Sequence, residues 1–202
     1  MDVLTFAAWA FGAGLIVYGL LERRRLKAGE PPEVTVKSAT AGKYVRIVGK
    51  IVDGGTLVAP ITGRTCVSFD AVVLVDRDGP PHVVARGLRG TPFIVDDGTG
   101  RILVDPRGAF IHVIYDKSQV GPLDPAKVAD PELLAPLGTN TKGLRFDEGV
   151  LAIGEHVAVS GLVSRAGSAA DDPVYRRLAA TELRLTGGPN RPAVVSERPE
   201  DL

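Results

Sequence analysis

The chain has 202 residues, of which 45% are hydrophobic, so it is long enough for one domain with a substantial core. Basic and acidic residues each total 24, and the net charge of +0 excludes a global electrostatic field that would attract nucleic acid. The single cysteine excludes an internal disulfide, so the chain is not a disulfide-stapled secreted scaffold and a reducing compartment is expected.

The first apolar segment, VLTFAAWAFGAGLIVYGLL at 3–21, contains no charged side chain. As a helix rising about 1.5 Å per residue, it would nearly match a hydrocarbon core of about 30 Å. The basic cluster that follows predicts, by the positive-inside rule, that the rest of the chain stays in the cytoplasm. We therefore predict a single-pass membrane protein, anchored uncleaved through 3–21, with its soluble domain on the cytoplasmic side.

The remaining sequence indicates three further parts. A basic juxtamembrane stretch and a proline-containing linker occupy 23–39, after the anchor at 1–22. Alternating β-branched segments predict a β domain at 40–187. Turn formers and charges without periodicity predict a disordered tail at 188–202.

The pattern of the β domain predicts its architecture. The chain has 24 glycines and 15 prolines, which is typical of many short strands joined by tight turns. One segment, LDPAKVADPELLAPLG at 123–138, has two Asp-Pro pairs that are typical of helix starts. We therefore predict an all-β fold: a small, curved, OB-like barrel with a short helical insertion, preceded by one transmembrane helix.

The only cysteine, Cys66, follows a Pro-Ile-Thr-Gly turn and begins an alternating segment. Alternation predicts that Cys66 shares a strand face with Ser68 and Asp70, whereas Val67 and Phe69 take the other face. Arg64 lies two residues earlier and would favour a reactive thiolate, but no histidine is near in sequence. A structural thiol is therefore the favoured interpretation.

Metal and cofactor chemistry find no support in the sequence. The three histidines, His82, His112 and His156, are scattered and do not have the ligand spacing of a zinc site. The acidic residues around the Asp-Gly turn at 97–98 lack the pattern of a calcium-binding loop. We expect no metal and no cofactor.

Two other functional classes stay open as alternatives. An enzyme could act through Cys66 or through the carboxylate of Glu148, although no catalytic partner is evident beside either residue. An OB-type barrel could bind oligonucleotides, but aromatic residues make up only 5% of the chain and the arginines are interleaved with acids. We therefore expect no nucleic-acid partner.

Three stretches of the β domain together resemble the GIDE domain, also called BAM for "beside a membrane". The first combines a Pro-x-x-Gly turn with a cysteine and an aromatic strand, the second is TPFIVDDGTGRILVDPRGA, and the third is EGVLAIGEHVAVSG. The matching residues, which we predict to be structural, are Pro60, Gly63, Cys66, Phe69, Asp97, Thr99, Gly100, Asp105, Pro106, Glu148, Gly154 and Gly161.

The resemblance implies a function as well as a fold. GIDE domains occur in membrane-anchored mitochondrial E3 ubiquitin ligases, whose activity resides in a C-terminal RING with cysteine and histidine zinc ligands. This chain has one cysteine, so the RING is expected to be absent. The resemblance thus implies a membrane-anchored, non-catalytic module that recognises an unknown protein partner at the membrane surface.

Overall fold

A computed structural model of the chain describes residues 30–75, 80–120, 143–165, 178 and 182–197. The predicted anchor at 1–22 and the predicted helical insertion at 123–138 lie outside the described residues. Within the described ranges, no helix is both long and apolar enough to cross a membrane. The chain divides into two compact units, Met1–Pro32 and Glu33–Leu202, and the second contains every element below.

The second unit is built almost entirely of strands. A single turn of 3-10 helix, Val36–Ser38, precedes them in the described part of the chain. The strands are β1 (Tyr44–Gly54), β2 (Leu57–Val58), β3 (Thr65–Cys66), β4 (Ser68–Val75), β5 (His82–Gly90), β6 (Phe93–Asp96), β7 (Arg101–Val104), β8 (Phe110–His112), β9 (Lys117–Val120), β10 (Leu144–Leu151), β11 (His156–Arg165), β12 (Leu183–Thr186) and β13 (Val194–Ser196).

Five of these strands close into a barrel. They follow the order β1-β6-β7-β12-β11, and β11 returns to pair with β1. The closing register runs from Tyr44 opposite Leu162 to Lys50 opposite His156. Alternate residues of β1, such as Val45 and Ile47, point into a core that also holds Val159. The prediction of an all-β fold with a small barrel is therefore confirmed.

A second sheet lies beside the barrel and contains the strands inserted between β1 and β6 and between β7 and β11. Its order is β5-β4-β10-β9, with all pairs antiparallel. One face packs against the β2–β3 hairpin and forms a separate core, which includes Cys66, Phe69, Val73, Phe146 and Val150. β10 contributes to both cores, since Leu151 lies in the barrel core and Phe146 and Val150 lie in the second core.

A bend at Val67 joins the two cores and corrects the predicted alternation around Cys66. Val67 is buried in the barrel core, where its N–H donates to the carbonyl of Leu151 at 2.8 Å. Cys66 and Phe69 instead share the second core. The prediction that Cys66 shares a strand face with Ser68 and Asp70 was wrong. It assumed an unbroken strand, whereas the chain changes sheets at Val67.

The predicted domain boundaries also need correction at both ends. Glu33 pairs with β1 at Arg46, and Val36 enters the barrel core, so residues 33–39 belong to the domain and not to a linker. At the other end, β13 pairs with β11 and β8, and Val195 is fully buried. The prediction of a disordered tail at 188–202 was therefore wrong for residues 188–197. A three-residue strand is too short to show periodicity, so no local pattern indicated β13.

Candidate recognition site

The Pro60–Gly63 turn is held by a buried carboxylate from β10. Glu148 is 0% exposed and accepts hydrogen bonds from the backbone N–H groups of Ile61, at 2.7 Å, and Thr62, at 3.1 Å. The Thr62 hydroxyl donates a further short hydrogen bond to Glu148 Oε2. Gly63 closes the turn with a φ of +70°, a conformation that glycine adopts without strain. Three donors engage the carboxylate, so Glu148 is placed as a turn anchor.

Arg64 covers this turn from the solvent side. Its guanidinium forms a bidentate ion pair with Asp116, with Nη2 at 2.7 Å from Oδ1, and its Nε donates to the Thr62 hydroxyl at 3.1 Å. The hydrogen bond to Arg64 lowers the pKa of Asp116, and the same bond raises the pKa of Arg64. Arg64 is thus directed towards Asp116 and the turn. We find no hydrogen bond between its guanidinium and the Cys66 thiol.

Cys66 has the surroundings of a packing residue. Its side chain is buried, and its thiol donates a long hydrogen bond to the Leu57 carbonyl oxygen at 3.9 Å. Burial, followed by the negative charge of Glu148, raises the pKa of the thiol to about 11. A nucleophilic cysteine needs a depressed pKa and access to substrate, and Cys66 has neither.

Asp97 and Thr99 fasten the barrel to the 3-10 turn. The Asp97 carboxylate accepts from the N–H of Val36 at 2.7 Å, of Thr99 at 2.8 Å and of Gly100 at 3.1 Å. Burial raises the pKa of Asp97, but these hydrogen bonds outweigh it, so the pKa lies below its ordinary value. The Thr99 hydroxyl also accepts from the N–H of Lys37 at 3.2 Å. The β6–β7 turn therefore ties down the start of the domain.

The remaining motif glycines allow close approach or a tight turn. A Cβ on Gly161 would lie 1.9 Å from Leu185 Cδ2 and 2.8 Å from the Thr186 carbonyl oxygen, so only glycine lets β11 meet β12 here. Gly154, in the β10–β11 turn, has a φ of +103°. Both positions stabilise the barrel and neither offers a functional group.

Asp105 gathers two arginines at the end of β7. Its buried carboxylate accepts from Arg107 Nη2 at 3.0 Å and from Arg184 Nη2 at 2.6 Å. Pro106, which follows it, is buried against Gly90. Sequence reasoning identified Asp105 from the family pattern but did not associate it with Arg184, which lies 79 residues away.

The most exposed apolar surface of the second sheet lies on β5. In the described part of the chain, β5 pairs only with β4 and forms one end of the sheet. Val83, Val84 and Leu88 are 59%, 38% and 42% exposed. An edge strand offers backbone hydrogen-bonding groups to a further strand, and these apolar side chains flank those groups.

An ion pair between a buried aspartate and an exposed arginine supports the same strand from the sheet face. Asp70 on β4 is 3% exposed and binds Arg86 of β5 through two hydrogen bonds, Nε to Oδ1 at 2.8 Å and Nη2 to Oδ2 at 2.6 Å. The Tyr115 hydroxyl also donates to Asp70 at 2.8 Å, and burial together with this bond raises the pKa of Tyr115 to about 12. Sequence reasoning did not identify this group, because its members come from three separate segments.

The residue types that could bind a metal or act in acid-base chemistry are not brought together in the described part of the chain. No three His, Cys, Asp or Glu side chains lie close enough to hold a metal among the residues that the structure describes. Glu155 is engaged locally, since its carboxylate accepts from the N–H of Ala152 at 2.8 Å, and burial raises its pKa. It does not form a hydrogen-bonded pair with Glu148.

Comparison with known proteins gives one family. The GIDE family model, described as an E3 ubiquitin ligase family, matches residues 80–171. No curated protein and no solved structure matches the chain. The matched segment begins before β5 and extends past β11, so it contains the edge strand, the Asp97 turn and the Glu148 anchor. Residues 80–171 thus match the GIDE family model, and the sequence motifs had indicated the same resemblance.

Proposed function

We propose that the chain is a membrane-anchored, non-catalytic protein-recognition module whose β5 edge accepts an extended segment of a partner protein. The anchor at 3–21 would hold the domain at the cytoplasmic face of a membrane, near partners that reside there. The observation that carries the proposal is the nine-residue strand β5, which is exposed on both faces and pairs on one side only in the described part of the chain. Partners that add a strand to such an edge gain main-chain hydrogen bonds, and flanking side chains then select the sequence.

The charge of β5 indicates which segment it prefers. Its sequence, HVVARGLRG, has two arginines and no acidic residue. Arg86 and Arg89 lie on opposite faces of β5, so an extended segment of mixed acidic and apolar residues would place carboxylates near both arginines and apolar side chains near Val83 and Leu88. A second copy of β5 in antiparallel pairing would instead bring arginines of the two copies together, which is unfavourable. The proposed partner is therefore an acidic, apolar extended segment of a different protein.

The alternatives have weaker support. The enzymatic alternative requires Cys66 or Glu148 to reach a substrate, but both side chains are buried and engaged. The oligonucleotide alternative requires aromatic stacking platforms. Among the described aromatic residues, Phe69, Phe93 and Phe146 are buried. Phe110 and Tyr115 are exposed, and the Tyr115 hydroxyl is bound to Asp70. The similarity to the E3 ubiquitin ligase family supports recognition of a protein partner.

The test is selection of extended peptides from a random library on the full-length protein in detergent micelles. We expect enrichment of mixed acidic and apolar sequences whose binding slows hydrogen exchange of the β5 amides. Val83→Glu should weaken binding about tenfold through charge repulsion. Ile153→Glu is the matched control, because Val83 and Ile153 are both 59% exposed and Ile153 lies in the β10–β11 turn.

The outcomes separate the proposals. Failure to enrich any such sequence, or binding that leaves β5 exchange unchanged and tolerates Val83→Glu, would overturn strand addition. Retention of single-stranded oligonucleotides at low salt, lost at higher salt, would favour the nucleic-acid alternative.

A further inference from the structure

Three side chains of β5, those of Val83, Arg86 and Leu88, form a row on one face of the second sheet. Directly opposed residues of an antiparallel pair share a face, and the register of β5 with β4 skips Val84. Val83 therefore joins the face of Arg86 and Leu88, which is the face away from the second core. An unbroken register would have placed Val83 on the other face. Along the strand this β5 row reads apolar, basic, apolar.

All three members of the β5 row are accessible to a partner. The side chain of Arg86 is 53% exposed, and Val83 and Leu88 are exposed as described above. The far side of β5 pairs with no strand in the described part of the chain. A segment added to this edge would therefore place every second side chain beside the row.

Asp70 orients Arg86 without using all of its hydrogen-bond donors. The two bonds to the Asp70 carboxylate come from Nε and Nη2 of the guanidinium, at 2.8 Å and 2.6 Å. A guanidinium has further N–H groups on Nη1, which can donate to a second carboxylate. Because Asp70 is buried and holds Arg86 in place before a partner binds, less side-chain entropy is lost on binding.

Tyr115 holds the same carboxylate from outside β4 and β5. Its hydroxyl donates to Asp70 Oδ2 at 2.8 Å, and this oxygen also accepts from Arg86 Nη2. The hydrogen bond from Tyr115 offsets part of the negative charge that Asp70 would present to a carboxylate bound at Arg86. Tyr115 is therefore a positioning residue, which acts on a partner through Asp70 and Arg86.

The order of side chains in the β5 row determines the order in the partner. We propose, on the basis of the strand addition proposed above, that β5 recognises an extended segment of the pattern apolar-x-acidic-x-apolar. The acidic side chain binds Arg86, and the two apolar side chains pack on Val83 and Leu88. Since the pattern reads the same in both chain directions, it holds for a parallel and for an antiparallel partner strand.

The test is calorimetric titration of the full-length protein in detergent micelles with three synthetic peptides that have threonine at every other position. The first carries Leu, Glu and Leu between the threonines, the second carries Glu, Leu and Leu, and the third replaces the Glu of the first by Gln. The second peptide loses at least one contact in any register, so we expect it to bind about tenfold more weakly than the first. The third lacks the charged hydrogen bond and should bind about fivefold more weakly.

Tyr115→Phe separates positioning from a structural role. Without the hydroxyl, Asp70 repels the glutamate of the first peptide more strongly, so the preference for Glu over Gln should fall from about fivefold to about twofold or less. Affinity for the Gln peptide should be unchanged, whereas a structural defect would weaken both peptides equally. Tyr44→Phe is the matched control, because its hydroxyl also makes one hydrogen bond, to the Pro192 carbonyl at 2.6 Å, but lies in the barrel. This variant should keep the full preference.

Hydrogen exchange of the β5 amides distinguishes failure of this inference from failure of strand addition. Peptides that protect β5 but bind equally well in both orders, or with Glu and Gln alike, would overturn the proposed pattern and leave strand addition intact. An unchanged preference for Glu in Tyr115→Phe would overturn the role of Tyr115 alone. If none of the three peptides protects β5, strand addition and this inference are both overturned.

Discussion

The carboxylate of Glu148 accepts hydrogen bonds from the backbone N–H and the hydroxyl of Thr62, a residue 86 positions earlier in the chain. The Ile61 N–H completes the set of donors at 2.7 Å. A buried carboxylate that is satisfied in this way costs little to bury, but removal of its charge or its oxygens leaves backbone donors unpaired. Glu148, one of the residues considered for acid-base chemistry, therefore holds the Pro60–Gly63 turn that precedes the second sheet.

Replacement of this carboxylate should destabilise the fold. We expect Glu148→Gln to lower the free energy of unfolding by about 2–4 kcal/mol, since one charged acceptor is lost and an amide NH₂ faces N–H donors. Urea denaturation of the full-length protein in detergent measures the effect. Asp147→Asn, on the opposite face of β10 and paired with Arg145, is the control and should cost about 1 kcal/mol or less. Equal losses in the two variants would contradict the anchoring role.

The thiol of Cys66 should react slowly in the folded protein. A pKa raised from 9.0 to about 11 reduces the thiolate fraction at pH 8 about a hundredfold, and burial slows access further. Alkylation by iodoacetamide should therefore be at least about a hundredfold slower in the folded chain than in urea. Because the folded pKa is the higher one, this group contributes stability below pH 9 that is lost as the pH rises towards 11. A fast reaction in the folded state would restore the enzymatic alternative.

The Asp97 clamp should make the domain sensitive to acid. The hydrogen bonds from Val36, Thr99 and Gly100 lower the pKa of Asp97, so its contribution is present above the ordinary aspartate pKa and is lost as the pH falls through the folded value. Asp97→Asn should reduce stability at pH 7 and flatten the loss of stability between pH 5 and pH 3. Urea midpoints at each pH provide the measurement.

Asp96→Asn is the comparison for this clamp. The pKa of Asp96 is also lowered, first by the N–H of Gly98 and then by Arg101, but its carboxylate does not reach the 3-10 turn. Its replacement should leave hydrogen exchange of the Val36 amide unchanged, whereas Asp97→Asn should speed that exchange. Identical exchange in the two variants would show that Asp97 does not hold the turn.

Gly161 should tolerate no side chain. In Gly161→Ala the new Cβ would lie 2.8 Å from the carbonyl oxygen of Thr186, so the β11–β12 pair must move apart. We expect a loss of about 1–3 kcal/mol, typical of overpacking, in the free energy of unfolding. Gly42→Ala is the control, because Gly42 has a φ of +84° but no neighbouring atom within 4 Å, and should show only the smaller backbone cost. A larger loss at Gly42 would contradict the packing explanation.

The local elements of the fold followed from local patterns. Alternation predicted β1, because a strand places successive side chains on opposite faces. The β6–β7 hairpin was predicted from Asp97 and the glycines beside it, since side-chain and backbone bonds within four residues determine that turn. The motif that resembles the GIDE family was visible for the same reason.

The pairing of strands that are far apart in the chain could be determined only from the tertiary structure. The sequence alone determined an all-β domain with one cysteine and a turn before it, because strand period and turn chemistry act over a few residues. Closure of the barrel decided that Val67 and Cys66 enter different cores, that β13 joins the sheet, and that Asp105 meets Arg184. These contacts join residues far apart in the chain, and their register depends on the whole sheet rather than on any local pattern.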